Sequence, residues 1–277
     1  MNLRGRRIVT IIQTRRESTR LPDKVLMPLA GKPLFVRQVR RVQAAFFTGD
    51  VVVATTLSPA DDRIEQICRE ESIQCYRGHA ADLLDRHYRA ACLHSADIVL
   101  KIPSDCPLID PEVIDKVIRY YLANEHLYDY VSNLHPATYP DGNDVEIMSM
   151  DTLHEAQMHA SSLMEREHTT PYIWERPERF RLGNVEMEGG QDYSMTHRFT
   201  IDYEADYRFI RSVYEALYPS NPEFGLADIL SLLGNYPDIY KLNAELAGVN
   251  WYRNHLGELK TISSQQTRQF INVLAKP

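Results

Sequence analysis

The sequence predicts an α/β fold built on a mostly parallel sheet with helices on both faces. Three observations predict it. Short apolar runs rich in β-branched residues recur through the first 125 positions, and turn signals bound them. These runs are apolar throughout rather than alternating, as strands buried on both faces are. Longer amphipathic stretches separate them, and a β-α-β-α order of this kind makes parallel neighbours covered by helices.

The elements follow in order. "RIVTIIQ" (7–13), "DVVVAT" (50–55), "ESIQCY" (71–76) and "DIVLKI" (97–102) read as strands. Segment 34–46 places Leu34, Val39, Val42 and Phe46 on one helical face. Segment 80–94 does the same with Leu83, Leu84, His87, Ala91 and Cys92. In 111–123 the doublets Val113/Ile114, Val117/Ile118 and Tyr121/Leu122 return every four residues, behind Asp110 as cap and Pro111 as first-turn residue. Beyond 125 the rhythm loosens. "YDYVSN" (128–133), "VEIMSM" (145–150), "FRLGNVEM" (180–187) and "HRFTID" (197–202) are strand candidates, and 161–178 is helical with Pro171 and Pro177 as punctuation. "FGLADILSLLGNYPD" reads as two helices meeting at Gly234–Pro237, inside a helical tail over 225–277. The expected organisation is a single domain, 1–277, with an insertion at 130–195.

Composition bounds the function. The 277 residues are 44 % hydrophobic and 25 % charged, ordinary for a globular chain. A net charge of -7 argues against a general nucleic-acid binder. No apolar run approaches the ~18 residues of a membrane span. The start "MNLRGRRIVTIIQ" reads as a basic lead-in to a strand rather than a signal peptide. Cys68, Cys75, Cys92 and Cys106 form no CxxC, so neither a zinc site nor a disulfide framework is expected, and a cytoplasmic location is.

Against that acidic background, "TRRESTRLPDKVL" (14–26) packs Arg15, Arg16, Arg20 and Lys24 into one loop directly after the first strand. Ligands of open parallel sheets bind outside the carboxyl ends of the strands. Backbone N–H groups, the hydroxyls of Ser18 and Thr19 and several cations in one turn suit a polyphosphate. The plainer reading is a solvated basic loop paired with Glu17 and Asp23. GxxxxGK[ST] and GxGxxG are both absent, which removes P-loop and dinucleotide readings.

"IIQTRRESTRLPDKVLMPLAGKPL" resembles the opening of the CMP-sugar synthetase superfamily of cytidylyltransferases, and within it the spore-coat polysaccharide biosynthesis branch. "YRGHAADLLDRHYRAA", "IPSDCPLIDPEVID", "YPDGNDVEIMS", "EREHTTPYI" and "RFTIDYEADY" follow that branch in order, over roughly 8–245. Two positions depart from it. Arg16–Glu17 stand where the branch commonly has a hydrophobic residue and glycine, and Asp23 stands where glycine is usual before the lysine. Asp23 either points away from the phosphates or pairs with a loop cation.

The resemblance implies a Rossmann-like sheet with the insertion as a smaller β/α dimerisation arm, hence a homodimer. It implies transfer of CMP from CTP, with Mg²⁺, to a sugar, sugar acid or other small anionic acceptor for surface glycan synthesis, with pyrophosphate released. Arg15, Lys24 and Asp105 are the expected catalytic residues. Arg15, Ser18, Thr19, Arg20, Lys24, Arg77, Gly78, Asp82 and Ser104 are expected around the nucleotide. Asp105, between Pro103 and Pro107, and Asp202, at the end of "RFTID", match the family's metal-binding aspartates. Mg²⁺ favours one or two carboxylates plus phosphates; a lone Asp at a strand end is otherwise a cap or turn residue. Arg166 and His168, near a helix start at Pro171, and Asp141 and Arg198 are expected on the acceptor side; the plainer readings are a capped helix or interface for 165–173, a hairpin turn for 139–144 and a strand-flanking Arg198. Asp82 and Arg86, one helical turn apart, also read as a surface ion pair. A nucleotide-sugar-dependent glycosyltransferase is the alternative, but "PSDCPLID" offers no D-x-D after a strand. An inactive nucleotide-binding module is the third reading, kept open by Glu17 and Asp23.

Overall fold

The computed structural model describes residues 5–269. Four strands come from the regular first half: β1 (Ile8–Gln13), β2 (Asp50–Thr56), β3 (Gln74–Gly78) and β4 (Ile98–Pro103). Between and after them lie α1 (Leu34–Ala44), α2 (Asp62–Glu70), α3 (Leu83–Leu93) and α4 (Pro111–Asn124). The second half adds β5 (Tyr130–Ser132), β6 (Glu146–Ser149) and β7 (Leu182–Asn184). All seven form one sheet in the order β3-β2-β1-β4-β6-β5-β7. Neighbours are parallel except at β6, which runs antiparallel to both β4 and β5. A two-strand hairpin, Pro28–Leu29 with Lys32–Pro33, stands apart.

Side chains of the central strands alternate between two cores. Ile8, Ile12, Val51, Val53, Ile98 and Leu100 face the layer that holds α1, α2 and α4. Val9, Ile11, Val52, Ala54 and Val99 face the layer of α3. A strand with apolar residues on both faces can be covered only from both sides. The expected stripes hold where helix continues: Leu34, Val39 and Val42 are buried, as are Leu84, His87 and Ala91. Two residues leave them. Phe46 is 84 % exposed because α1 stops at Ala44, and Cys92 is exposed.

The second half departs further from expectation. Segment 130–195 gives β5, β6 and β7 to the main sheet. The stretch 161–178 forms two short helices, α6 (Leu163–His168) and α7 (Pro171–Trp174), after α5 (Met150–His159). "HRFTID" is not a strand; among the described residues its only ladder contact is an isolated bridge from Arg198 to Asp141. The segment leads instead into α8 (Glu204–Leu217). The tail gives α9 (Leu226–Asn235) and α10 (Pro237–Tyr240), meeting where Gly234–Pro237 predicted. Residues 1–4 of the basic lead-in and 270–277 of the tail lie outside the described residues. Among the described residues no helix is long and apolar enough to cross a membrane.

Candidate active site

The loop that leaves β1 folds back on itself through its own charges. Arg16 donates from Nε and Nη2 to Asp23 Oδ1 (2.6 Å) and Oδ2 (3.1 Å), and from Nη1 to Ala60 O (2.9 Å). The Arg16 guanidinium holds the Asp23 carboxyl below the usual carboxylate range. Asp23 has φ 58°, the left-handed region that glycine occupies most easily. The residue that replaces the expected glycine therefore keeps the glycine's backbone and uses its side chain to staple the loop. It takes the second of the two alternatives, pairing with a loop cation.

That turn aims Lys24 inward. The buried Nζ donates to Asp202 Oδ1 (2.9 Å), Asp105 Oδ2 (3.2 Å) and Ile201 O (2.6 Å). Burial pulls its pKa down, but Asp105 and Asp202 outweigh burial and hold the ammonium above its ordinary range. Arg20 reaches the same Asp202 Oδ1 at 2.7 Å. Arg15 is exposed and makes no ion pair or hydrogen bond among the described residues. Ser18 Oγ accepts weakly from Leu21 N–H (3.4 Å), Thr19 is exposed, and Ser104 is half-buried next to Asp105.

Asp202 reaches Asp105 without belonging to the sheet. Ile201 N–H and the Thr200 hydroxyl both donate to Asp105 O, at 2.9 and 3.0 Å, and so tie 200–202 to the loop after β4. Behind Asp202 lies Arg198, whose side chain is fully buried. It donates to Asp202 Oδ2 (3.0 Å), Asp141 Oδ2 (3.0 Å) and Asp206 Oδ1 (3.0 Å). Asp206, in the first turn of α8, also accepts from the backbone N–H groups of Asp202 and Tyr203 (2.9 and 3.0 Å). Burial opposes charge on Asp202, yet Lys24, Arg198 and Arg20 hold its pKa below the usual range.

These groups open on a cavity of about 410 Å³ at the carboxyl edge of β1 and β4. Gln13, Arg20, Leu83, Pro103, Asp105 and Asp202 line it, as do Asn133, His135, Asp144, Glu146, Trp174, Trp251 and Tyr252. This second set was not legible as part of a site. Its floor is an ion pair between Lys101 and Glu146, in register on β4 and β6, with Tyr130 Oη also donating to Glu146 Oε2 (2.6 Å). Burial disfavours the Glu146 charge, but Lys101 wins and keeps it ionised below its usual range. Single charges inside two apolar strands were the available signal, because a buried charge requires a partner.

Several expected residues lie elsewhere or do other work. Arg77 points away from the cavity and pairs with Asp62 and Glu65 (2.8 and 2.9 Å), also donating to Thr56 O and Ser58 O. A Cβ on Gly78 would meet Tyr76 Cε1 at 2.7 Å and Arg86 Cγ at 3.0 Å, so the glycine makes room for protein packing. Asp82 caps α3 by accepting from Asp85 N–H (2.9 Å) and binds Arg166 Nε (2.9 Å). Arg166 is thereby held outside the cavity. Arg86 is not on the surface; it is buried and donates to His79 O (2.9 Å), with burial and then Arg15 lowering its pKa to about 10. His168 lines the cavity but stacks on Trp251 (centroids 3.8 Å, planes 12° apart), and burial lowers its pKa to about 3.

Two carboxylates that touch one ammonium converge on a single cation position. Asp105 and Asp202 therefore fit a divalent ion with oxygen ligands, the remaining positions falling to phosphate and water. A basic loop, this carboxylate pair and a cavity at the strand edge define a nucleotidyltransferase fold and site. The chain belongs to the cytidylyltransferase family, whose model matches residues 9–223. It is 31 % identical over 242 residues to an uncharacterized protein of Methanocaldococcus jannaschii, covering 87 % of this chain and 96 % of that one. It is 30 % identical over 236 residues to the spore coat polysaccharide biosynthesis protein SpsF of Bacillus subtilis, covering 83 % and 95 %. A cytidylyltransferase structure from Leptospira borgpetersenii superposes with a TM-score of 0.80 at 30 % identity, over 85 % of this chain and 97 % of that one.

Proposed function

We propose that this enzyme transfers CMP from CTP to a hydroxyl of a sugar-type acceptor and releases pyrophosphate, with Mg²⁺ bound by Asp105 and Asp202. The observation that carries the reading is the meeting of Lys24, Arg20, Asp105 and Asp202 beside a loop in which Arg15 is exposed and makes no ion pair among the described residues. The acceptor oxygen attacks the α-phosphorus and forms the new O–P bond. The bond from that phosphorus to the bridging oxygen breaks, pyrophosphate leaves with the electron pair, and the hydroxyl proton passes to solvent. Bound Mg²⁺ supplies charge neutralisation at the phosphates. Arg15, Arg20 and Lys24 grip the triphosphate and stabilise the leaving pyrophosphate. Arg198 and Asp206 hold Asp202 in place. Ser18, Thr19 and Ser104 complete the nucleotide side, and Asp141 and His168 belong to the acceptor side.

A role in surface polysaccharide synthesis belongs to the same reading, supported by the name of the Bacillus relative. So does a cytoplasmic homodimer formed through 130–195, where Met158 and Leu163 are 64 % and 87 % exposed. Light scattering checks the dimer; a monomeric mass at all concentrations contradicts it. The functional test is a panel of CTP, UTP, ATP and GTP with Mg²⁺, candidate acceptors and a pyrophosphate readout. CTP alone should turn over, and turnover with UTP, ATP or GTP in its place would overturn the assignment.

A further inference from the structure

Lys24 is bonded as completely as an ammonium can be. Its three N–H donors meet three acceptors: Asp202 Oδ1 at 2.9 Å, Asp105 Oδ2 at 3.2 Å and Ile201 O at 2.6 Å. The side chain is only 10 % exposed, so water competes little for those bonds. Arg20 and Arg198 pair with Asp202 but, among the described residues, not with Asp105; Lys24 alone bridges the two aspartates. Its ammonium therefore sits where the two carboxylates converge. The transfer reading gives that same position to Mg²⁺, and two cations in contact repel.

The chain on both sides fixes this seat. Ile201 N–H and the Thr200 hydroxyl donate to Asp105 O, at 2.9 and 3.0 Å, so the two carboxylates and Ile201 O are held as one unit. Opposite them the Lys24 backbone is pinned. Its N–H donates to Leu21 O (3.3 Å), Leu26 N–H donates to Asp23 O (2.8 Å), and Asp23 is stapled to Arg16. What remains free to swing is the four-carbon stem of Lys24, which can trade carboxylate oxygens for phosphate oxygens without moving the loop.

We infer that Lys24 is the resident counter-ion of the Asp105–Asp202 pair, that it must leave the pair before a divalent ion can be bound there, and that the triphosphate draws it off. The inference rests on the cytidylyl-transfer reading, with its metal at Asp105 and Asp202, and adds that nucleotide and metal bind as a coupled pair. Lys24 has its two partners in turn, the carboxylates without nucleotide and the phosphates with it. The coupling is reciprocal: nucleotide tightens the metal by the same factor as metal tightens the nucleotide.

The test titrates Mn²⁺, which takes the same oxygen ligands, into nucleotide-free protein and reads the free ion by electron paramagnetic resonance, with no turnover involved. Lys24→Met removes the ammonium and keeps most of the stem. It should bind Mn²⁺ at least about tenfold more tightly than the wild type. Adding Asp105→Asn to Lys24→Met should abolish the gain, which locates the ion at the pair. Equal or weaker binding in folded Lys24→Met overturns the inference, as does a gain that survives Asp105→Asn. Lys24→Gln, whose amide can still donate to Ile201 O, replaces Lys24→Met if that variant does not fold. The wild type decides by itself if neither folds: its Asp105-dependent Mn²⁺ binding should be weaker than about 1 mM without nucleotide, and tighter binding overturns the inference. Calorimetric titration of Mg²⁺–CTP into the wild type and Asp105→Asn separates the two levels. Mg²⁺–CTP binding that Asp105→Asn weakens, with no Mn²⁺ gain in Lys24→Met, defeats the counter-ion alone. Mg²⁺–CTP binding that is absent, or unchanged by Asp105→Asn, defeats the metal reading beneath it.

Discussion

Replacing Asp202 by asparagine removes one negative charge from the centre of three positive ones. Its side chain is 9 % exposed and meets Arg20, Lys24 and Arg198 at 2.7, 2.9 and 3.0 Å. Breaking a buried pair by deleting one partner costs about 3–5 kcal/mol, because the other charge stays buried. Here each buried cation keeps a second contact: Lys24 retains Asp105 and Ile201 O, and Arg198 retains Asp141 and Asp206. The low end therefore applies, about 3 kcal/mol. Asp105→Asn differs. That side chain is 28 % exposed and, among the described residues, pairs with Lys24 alone, at 3.2 Å, so its loss should cost about 1 kcal/mol or less. Urea unfolding followed by tryptophan fluorescence reads both. With a slope of about 3 kcal/mol per molar, Asp202→Asn should lower the midpoint by about 1 M and Asp105→Asn by about 0.3 M or less. Equal midpoints for the two variants would refute the argument that Asp202 holds the fold of the site as well as a ligand position. They would also make loss of activity in Asp202→Asn interpretable as metal loss, which this account says it is not.

Two further predictions concern stability. His87 is fully buried, with Nδ1 donating to Leu83 O (2.9 Å) and Nε2 unpartnered; burial, aided by Lys101 and Arg86 and opposed by the Leu83 bond and Glu146, lowers its pKa to about 3. The unfolded chain takes up that proton below about 6.5 and the folded chain does not, so stability falls with acid, by about 2 kcal/mol between pH 7 and pH 5. His87→Leu should lose that share of the slope in denaturant titrations at the two pH values; an unchanged slope removes the neutral histidine. Gly142, at φ 109°, would place an alanine Cβ 2.6 Å from Phe199 C and Thr200 N. Gly142→Ala should therefore cost about 3 kcal/mol, and a wild-type melting temperature would show that 139–144 does not press on 199–200.

The first half of the fold was legible because its signals are local. β-branched runs such as "DVVVAT" and the four-residue doublets of α4 specify element and buried face together. The second half was not, because long-range pairing decides it. "HRFTID" has strand composition, yet Arg198 is drawn into an ion network with three aspartates and the chain turns into α8. Cation partners were not legible for the same reason. Arg77 and Arg166 were expected beside ligands, and the structure pairs them with Asp62, Glu65 and Asp82; Arg198 lines the cavity and is paired with Asp141, Asp202 and Asp206. Asp105, between Pro103 and Pro107, and Asp202, at the end of "RFTID", stood out in the sequence and do meet, although through the tether from 200–201 to Asp105 O rather than through two strands of one sheet. Asp23 shows the limit most clearly. Its type argued against the loop, while its φ and its bond to Arg16 make it part of the loop.

The most direct measurement compares Mg²⁺–CTP binding and pyrophosphate release in the wild type and in Asp105→Asn, the variant expected to keep its fold. The wild type should bind CTP, gain thermal stability with CTP concentration as linkage requires, and release pyrophosphate when an acceptor is supplied. Asp105→Asn should unfold near the wild-type midpoint and release none. A folded Asp105→Asn with full pyrophosphate release, or a wild type that binds no CTP, would contradict the account.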